Sequence, residues 1–430
     1  MNNLLSNKTF DPSETIRGIK QLLVSDKKKI AFLFGAGTSF AKRTNGSPNI
    51  PAIAEMTDKI VAEIQKDKKF VSVINEIKKE LELAVTDFNI ETLLTNIEDK
   101  TRIIGNGTLN TLNKNGFLNL SKKIKEEIIK IVSIHKDFKD DDAKQLVQCD
   151  FAKWIRNAER KYAIEIFTTN YDYLFEIGLE EAEVPYYDGF TGSYMPFFNA
   201  DSLEDINYLP QQTKLWKIHG SLGLHEDDKK NRIVRKNSDS DDLLIYPSAL
   251  KYSDSKKMPY AAFIDRLNAF LKQDDAVLFV CGYSFADEHI NERIFSALNA
   301  NSTSHVYVFY YDIVKQDNKK EYTFSQNCDM ANLAFKSRRI TVLGTRNAII
   351  GTDYGIWKLK REPDRDDSLN VKWFFDEDAP INTNAELEKE QKGDEVWTGE
   401  GELTLPNFVS FVDFLKKMIP KDGWKENDNV

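Results

Sequence analysis

Apolar positions along this chain follow two rhythms, one recurring every three or four residues and one running unbroken for five or six. The first appears at 13–25, where Ile16, Ile19, Leu22 and Leu23 predict one apolar helix face with Ser13 as its cap. Lys27-Lys28-Lys29 then leads into Ile30-Ala31-Phe32-Leu33-Phe34, and Gly35 ends the run. An unbroken apolar run of strand length reads as a parallel strand buried on both faces. From about 51 to 158 the chain is rich in Lys and Glu and helical in spacing, as at Leu81–Val85 and Ile124–Ile134. Strand character returns at Ala163–Phe167. It recurs at Lys214–Ile218, Leu243–Tyr246, Ala276–Cys281, Val306–Tyr310 and Ile340–Leu343, with helical stretches at 259–272 and 287–299. A last amphipathic helix is predicted at 406–418, with Pro406 in its first turn. Strands alternating with helices predict an α/β fold built on a doubly wound parallel sheet. The sheet domain would comprise 1–50 and 159–345, interrupted by a helical insertion at 51–158. Residues 346–430 form a C-terminal extension, in which ten acids and two lysines between Asp376 and Glu402 read as a solvated linker.

Composition narrows the function classes. The 430 residues allow two or three domains. With 59 Lys+Arg against 68 Asp+Glu the net charge is −9, which disfavours general binding of duplex DNA. The basic run Lys229–Lys236 sits among acids and reads as a solvated loop. Three cysteines (Cys149, Cys281, Cys328) exclude a disulfide framework and a four-thiolate zinc site. No apolar run approaches a bilayer span, and Met1–Lys8 lacks a signal-peptide pattern, so a cytoplasmic protein is expected.

Four strand ends carry candidate chemistry. Gly35-Ala36-Gly37-Thr38-Ser39 follows a buried strand, where glycines let the backbone turn sharply and approach a pyrophosphate. The third glycine of the dinucleotide fingerprint is missing, and a strand-ending Gly-x-Gly turn without a ligand accounts for the segment equally well. Thr168-Thr169-Asn170-Tyr171-Asp172 ends the next strand; Asn170 offers an acceptor and donors for ribose hydroxyls or a water, while turn hydrogen bonds are the bland alternative. His219-Gly220-Ser221 ends a third strand and supplies a histidine that titrates near neutrality, or else a structural one. At Gly282-Tyr283-Ser284, a glycine turn leads into a helix beginning near Asp287, with Ser284 as a hydroxyl donor. Asp287 has the right type for the helix cap, and His289, two residues inside, is assigned no catalytic role.

Taken in order, these motifs resemble the sirtuin (Sir-two) superfamily over roughly 28–345. The carrying residues are Gly35-Ala36-Gly37-Thr38-Ser39, Thr169-Asn170-Tyr171-Asp172, His219-Gly220-Ser221, and Gly282-Tyr283-Ser284 with Asp287, His289 and Asn291. The segment Phe88–Leu94 is similar to the family's helical region. The form of the second and fourth motifs resembles the bacterial branch found in antiphage defence. The resemblance implies a Rossmann-like sheet that binds NAD+. Gly35, Ala36, Gly37, Thr38 and Ser39 would then cradle the pyrophosphate. Asn170 and Asp172 would face the nicotinamide ribose beside Thr169, and His219 would be the catalytic histidine. Gly282, Tyr283 and Ser284 would reach the adenosine half, with Tyr311-Asp312 at the ribose edge.

Two departures bear on activity. The chain has no Cys-x-x-Cys, and Asn45–Pro51 lacks the Asp-Phe-Arg run of the protein-deacetylating sirtuins. Both favour hydrolysis of NAD+ as substrate, with no metal required, over deacylation or ADP-ribosylation of a protein; a non-catalytic NAD-sensing module is the third reading. The defence branch further implies a homo-oligomer restrained by a co-encoded HerA-type ATPase or a short-Argonaute partner. The insertion and the 346–430 tail would be its contact surfaces.

Overall fold

A computed structural model describes residues 8–43, 49–227, 229–236, 258–316, 319–364, 367, 369–377 and 398–419. The expected strand 243–246, most of Asn45–Pro51, the acids Asp239–Asp242 and most of the acidic linker lie outside them.

The chain is mixed α/β around a ten-stranded, largely parallel sheet. Its strands are β1 (Lys8–Phe10), β2 (Lys29–Phe34), β3 (Glu165–Thr168), β4 (Tyr186–Tyr187), β5 (Thr213–Lys217), β6 (Ala276–Cys281), β7 (His305–Phe309), β8 (Ile340–Leu343), β9 (Asn347–Ile350) and β10 (Asp353–Trp357). In space they run β1-β10-β9-β8-β7-β6-β2-β3-β5-β4. From β2 the chain winds one way through β3 to β5, then returns to β6 on the other side of β2 and winds outward to β8. The strand order therefore reverses between β2 and β6, where ligand crevices of doubly wound sheets form. Among the described residues of this sheet, only β9 runs antiparallel to its neighbours.

Side-chain alternation explains the unbroken apolar runs. In β2, Ile30, Phe32 and Phe34 enter one core, while Ala31 and Leu33 enter the other. The first core is covered by α1 (Pro12–Val24), α7 (Val147–Asn157), α8 (Leu174–Glu181) and α11 (Phe408–Lys416). The second is covered by α9 (Tyr260–Leu271) and α10 (Glu288–Ala300). Both faces of the central strands are thus removed from water, as a parallel sheet requires.

Between β2 and β3 the chain forms a short helix, α2 (Ala36–Phe40), and then a separate helical core. That core is made by α3 (Ile53–Ile64), α4 (Lys68–Leu83), α5 (Ile90–Ile103) and α6 (Lys114–Val132). Asn89 caps α5 by accepting from the amides of Glu91 and Thr92, and Thr92 Oγ1 accepts from the Asn89 amide. The α7 helix, inside the 51–158 block, packs mainly on the sheet, and its Cys149 reaches the helical core.

Local readings are corrected at several points. Asp11, not Ser13, caps α1, accepting from the Ser13 amide at 2.8 Å with Pro12 in the first turn. Asn407 rather than Pro406 starts α11. The basic run contains a strand, Arg232–Arg235, paired with Leu224–Asp227, so it is not a free loop. Within the C-terminal extension, β9 and β10 widen the main sheet and α11 closes one core. No helix among the described residues is long and apolar enough to cross a membrane.

Candidate functional site

Four loops leave the carboxyl ends of adjacent strands: Gly35–Ser39 after β2, Thr169–Asp172 after β3, Ile218–Ser221 after β5 and Gly282–Asp287 after β6. Parallel register makes the convergence unavoidable, because Phe34 pairs with Thr168 and Cys281, and Thr168 with Lys217. The loops border a cavity of about 440 Å³, within the usual range of small-molecule sites. The insertion supplies its apolar wall through Ile53, Met56, Ile90 and Val132.

The glycines serve loop-to-loop packing. A Cβ on Gly35 would stand 2.5 Å from the Gly282 carbonyl oxygen, and one on Gly37 would stand 2.8 Å from Gly282 Cα. Gly282 has φ +66°, and its own Cβ would meet the Thr38 amide nitrogen at 2.7 Å. The Gly37 amide donates to the Gly282 carbonyl at 3.0 Å. Backbone lies on backbone here, which no other residue permits.

A buried polar network ties the first two loops together. Asn170 Nδ2 donates to Ser39 Oγ at 2.7 Å and approaches Gly35 O and Thr38 Oγ1, each at 3.1 Å. Ser39 Oγ donates to Asp172 Oδ2 at 2.7 Å, and Asp172 Oδ1 accepts from the Leu174 amide at 3.0 Å. The Asn170 amide nitrogen is therefore committed within the protein, leaving its carbonyl oxygen for a ligand. Lys217 holds the same loop from beneath, donating to Tyr171 O at 3.2 Å, to Asp172 O, and to Glu176 Oε1 at 2.9 Å. It also borders a second cavity of about 480 Å³ with Glu176, Tyr173 and Ser221.

Of the residues expected at the site, Ala36, Gly37, Ser39, Thr169, Asn170, Asp172, His219, Gly282, Tyr283 and Ser284 line the 440 Å³ cavity. Gly35 and Thr38 lie behind it, Thr38 fully buried and bonded to Gly35 O at 2.8 Å. Asp312 is not brought to the lining; it is buried after β7, accepts from the Thr345 amide at 3.0 Å, and burial pushes its carboxyl up. Asp287 has the backbone geometry of a helix cap, but its side chain makes no capping hydrogen bond and lines the cavity. His289 brings its ring to 5.7 Å from that of His219, centroid to centroid.

Residues 164–331 match the family model for the SIR2-like domain. Over that stretch the chain is similar to the SIR2-like domain. Three of the four strand-end motifs fall inside the match, and the Gly35–Ser39 loop lies before it. SIR2-like domains are NAD-dependent enzymes, and this places NAD+ among the substrates of the fold. No curated protein matches the chain.

The site also uses residues that the sequence pattern did not mark. Lys217 lay within a predicted strand, and nothing in its spacing marked it as the clamp of the neighbouring loop. The insertion residues Ile53, Met56 and Val132 read only as helix face, since contact across more than a hundred residues leaves no local signal.

Proposed function

We propose that the SIR2-like domain cleaves the nicotinamide–ribose bond of NAD+, releasing nicotinamide and ADP-ribose. The observation that carries this reading is the charge of the cavity. Among its described lining residues are Glu91, Asp172 and Asp287 beside His219, and no Lys or Arg. An acidic lining suits the cationic pyridinium and the oxocarbenium-like ribose that forms as it departs. The carboxylates Asp172 and Asp287 sit 4% and 9% exposed, where fixed charge is poorly screened.

As the C–N bond breaks, its electron pair passes to the pyridinium nitrogen, and water attacks the exposed ribose carbon. His219 takes the proton that water loses. Asn170 offers its carbonyl oxygen to the ribose hydroxyls or the attacking water, while Asp172 holds the loop carrying Asn170 in place. The motif forms that resemble the antiphage branch support a role as a defence effector that depletes NAD+. On that reading the chain works as an oligomer, restrained by a co-encoded HerA-type ATPase or a short-Argonaute partner.

A time course of NAD+ loss and nicotinamide release, with the purified chain alone and with its genomic neighbour, tests both statements. Asn170→Ala and His219→Ala should each lower nicotinamide release by ~100-fold or more while leaving the circular dichroism unchanged. Undiminished release in both variants removes the assignment. Transfer of an acyl group to ADP-ribose would replace hydrolysis with deacylation, and tight binding without release would leave a sensing module.

A further inference from the structure

We infer that His219, Asp287 and His289 form a binding site for one divalent transition-metal ion at the wall of the cavity. Each contributes one ligand atom, and the three atoms lie within 4.8 Å of one another. They come from two strand ends, His219 after β5 and the other two at the start of α10 after β6. The strand register that assembles the cavity therefore also assembles the ligand set. His219 is 4% exposed and the other two 9%, so the side chains lose little further freedom when they close on an ion.

The local geometry is suited to this use. Asp287 occupies the cap position of α10 with φ −89° and ψ 93°, yet its carboxylate is not spent on the helix amides. Two residues on, His289 lies on the first turn of the helix, and its ring is inclined 32° to that of His219. Two imidazoles and one carboxylate form a borderline donor set that selects ions such as Zn2+ or Co2+ over Mg2+ or Ca2+. Such a triad leaves coordination positions open, and His219 and Asp287 both face the cavity, so a water or ligand oxygen can fill them.

One consequence rests on the functional reading above. A metal on His219 takes the nitrogen lone pair that would accept the proton from water. The ion then acts as a brake on NAD+ cleavage rather than as its cofactor.

The test uses the full chain stripped with a chelator and dialysed against Zn2+ or Co2+, with bound metal counted by mass spectrometry. One ion per chain is expected, with Co2+ showing the visible ligand-field bands of a low-coordinate nitrogen–oxygen site. His289→Gln and Asp287→Asn should each weaken binding at least ~10-fold, with folding checked by circular dichroism. A wild-type chain that holds no stoichiometric Zn2+ or Co2+ overturns the proposal without recourse to any variant. So does undiminished binding by folded His289→Gln. NAD+ cleavage is measured in parallel on stripped and loaded protein. Metal binding without cleavage in either state removes the catalytic reading and keeps the site; cleavage without metal binding does the reverse.

Discussion

Lys217 offers the sharpest test of how the site is held. Its ammonium is buried, 6% exposed, and bonded to two loop carbonyls and to Glu176, whose carboxylate it faces at 2.9 Å. Burial pushes the Glu176 carboxyl above its ordinary 4.5, against the pull of Lys217 toward the charged form. Lys217→Met removes that pull and leaves the carboxylate in the core without its cation. Breaking one side of a buried pair costs about 3–5 kcal/mol. The loss should depend on pH with a definite sign. In the variant the folded state holds the Glu176 proton more tightly than the unfolded chain, so stability falls as pH rises from the ordinary 4.5 through the folded value. Urea unfolding at pH 6 and pH 8 reads both the penalty and its growth toward alkaline pH. The double variant Lys217→Met/Glu176→Leu removes both charges and should recover most of the loss, since apolar replacements of a buried pair are close to neutral. It should not recover NAD+ turnover, because the carbonyls of Tyr171 and Asp172 still lack their donor. A single-variant penalty under ~1 kcal/mol, or a double variant no more stable than the single, would refute the assigned role.

Three further outcomes follow from particular contacts. Gly282→Ala places a Cβ 2.7 Å from the Thr38 amide at φ +66°, so it should cost more than ~2 kcal/mol and weaken NAD+ binding, read by thermal melts with and without NAD+. Asn89→Ala removes one half of the capping box at the start of α5 and should cost about 1 kcal/mol in urea unfolding, with no change in the sheet's circular dichroism. Burial pushes the Cys149 thiol up to about 11 and raises Cys281 further, so a thiol reagent at pH 8 should label the folded chain only at the half-buried Cys328. Labelling of Cys149 ahead of Cys328 in the native state would contradict that packing.

The central strands were legible because each is buried on both faces and written as an unbroken apolar run. Ile30–Phe34, Ala276–Cys281 and Ile340–Leu343 each correspond to an observed strand. The strands β9 and β10 were not legible: Asn347–Ile350 and Asp353–Trp357 each open on a polar residue, and Gly355 breaks the second run. Their pairing comes from the sheet edge rather than from their own pattern. At the site, glycine, asparagine and histidine at strand ends could be read from sequence because strand-end placement is a local signal. The partners of those residues could not. Ser39 meets Asp172 across 133 positions, and His219 meets His289 across two different strand ends, so only the folded register brings them together.

The α11 helix adds a consequence in time. Phe408 meets Phe34 edge-on at 5.3 Å and Phe411 packs tilted against Phe32 at 6.1 Å, so the cover on one face of the strand that leads into the glycine loop includes residues made nearly four hundred positions later. During synthesis, α1, α7 and α8 are available to cover this face of β2 first, and the cover is completed only when residues 408–416 have left the ribosome. Contacts this distant in sequence close late, because loop closure must come first. A chain that lacks residues 408–416 therefore carries the glycine loop on a sheet whose first core is incompletely covered.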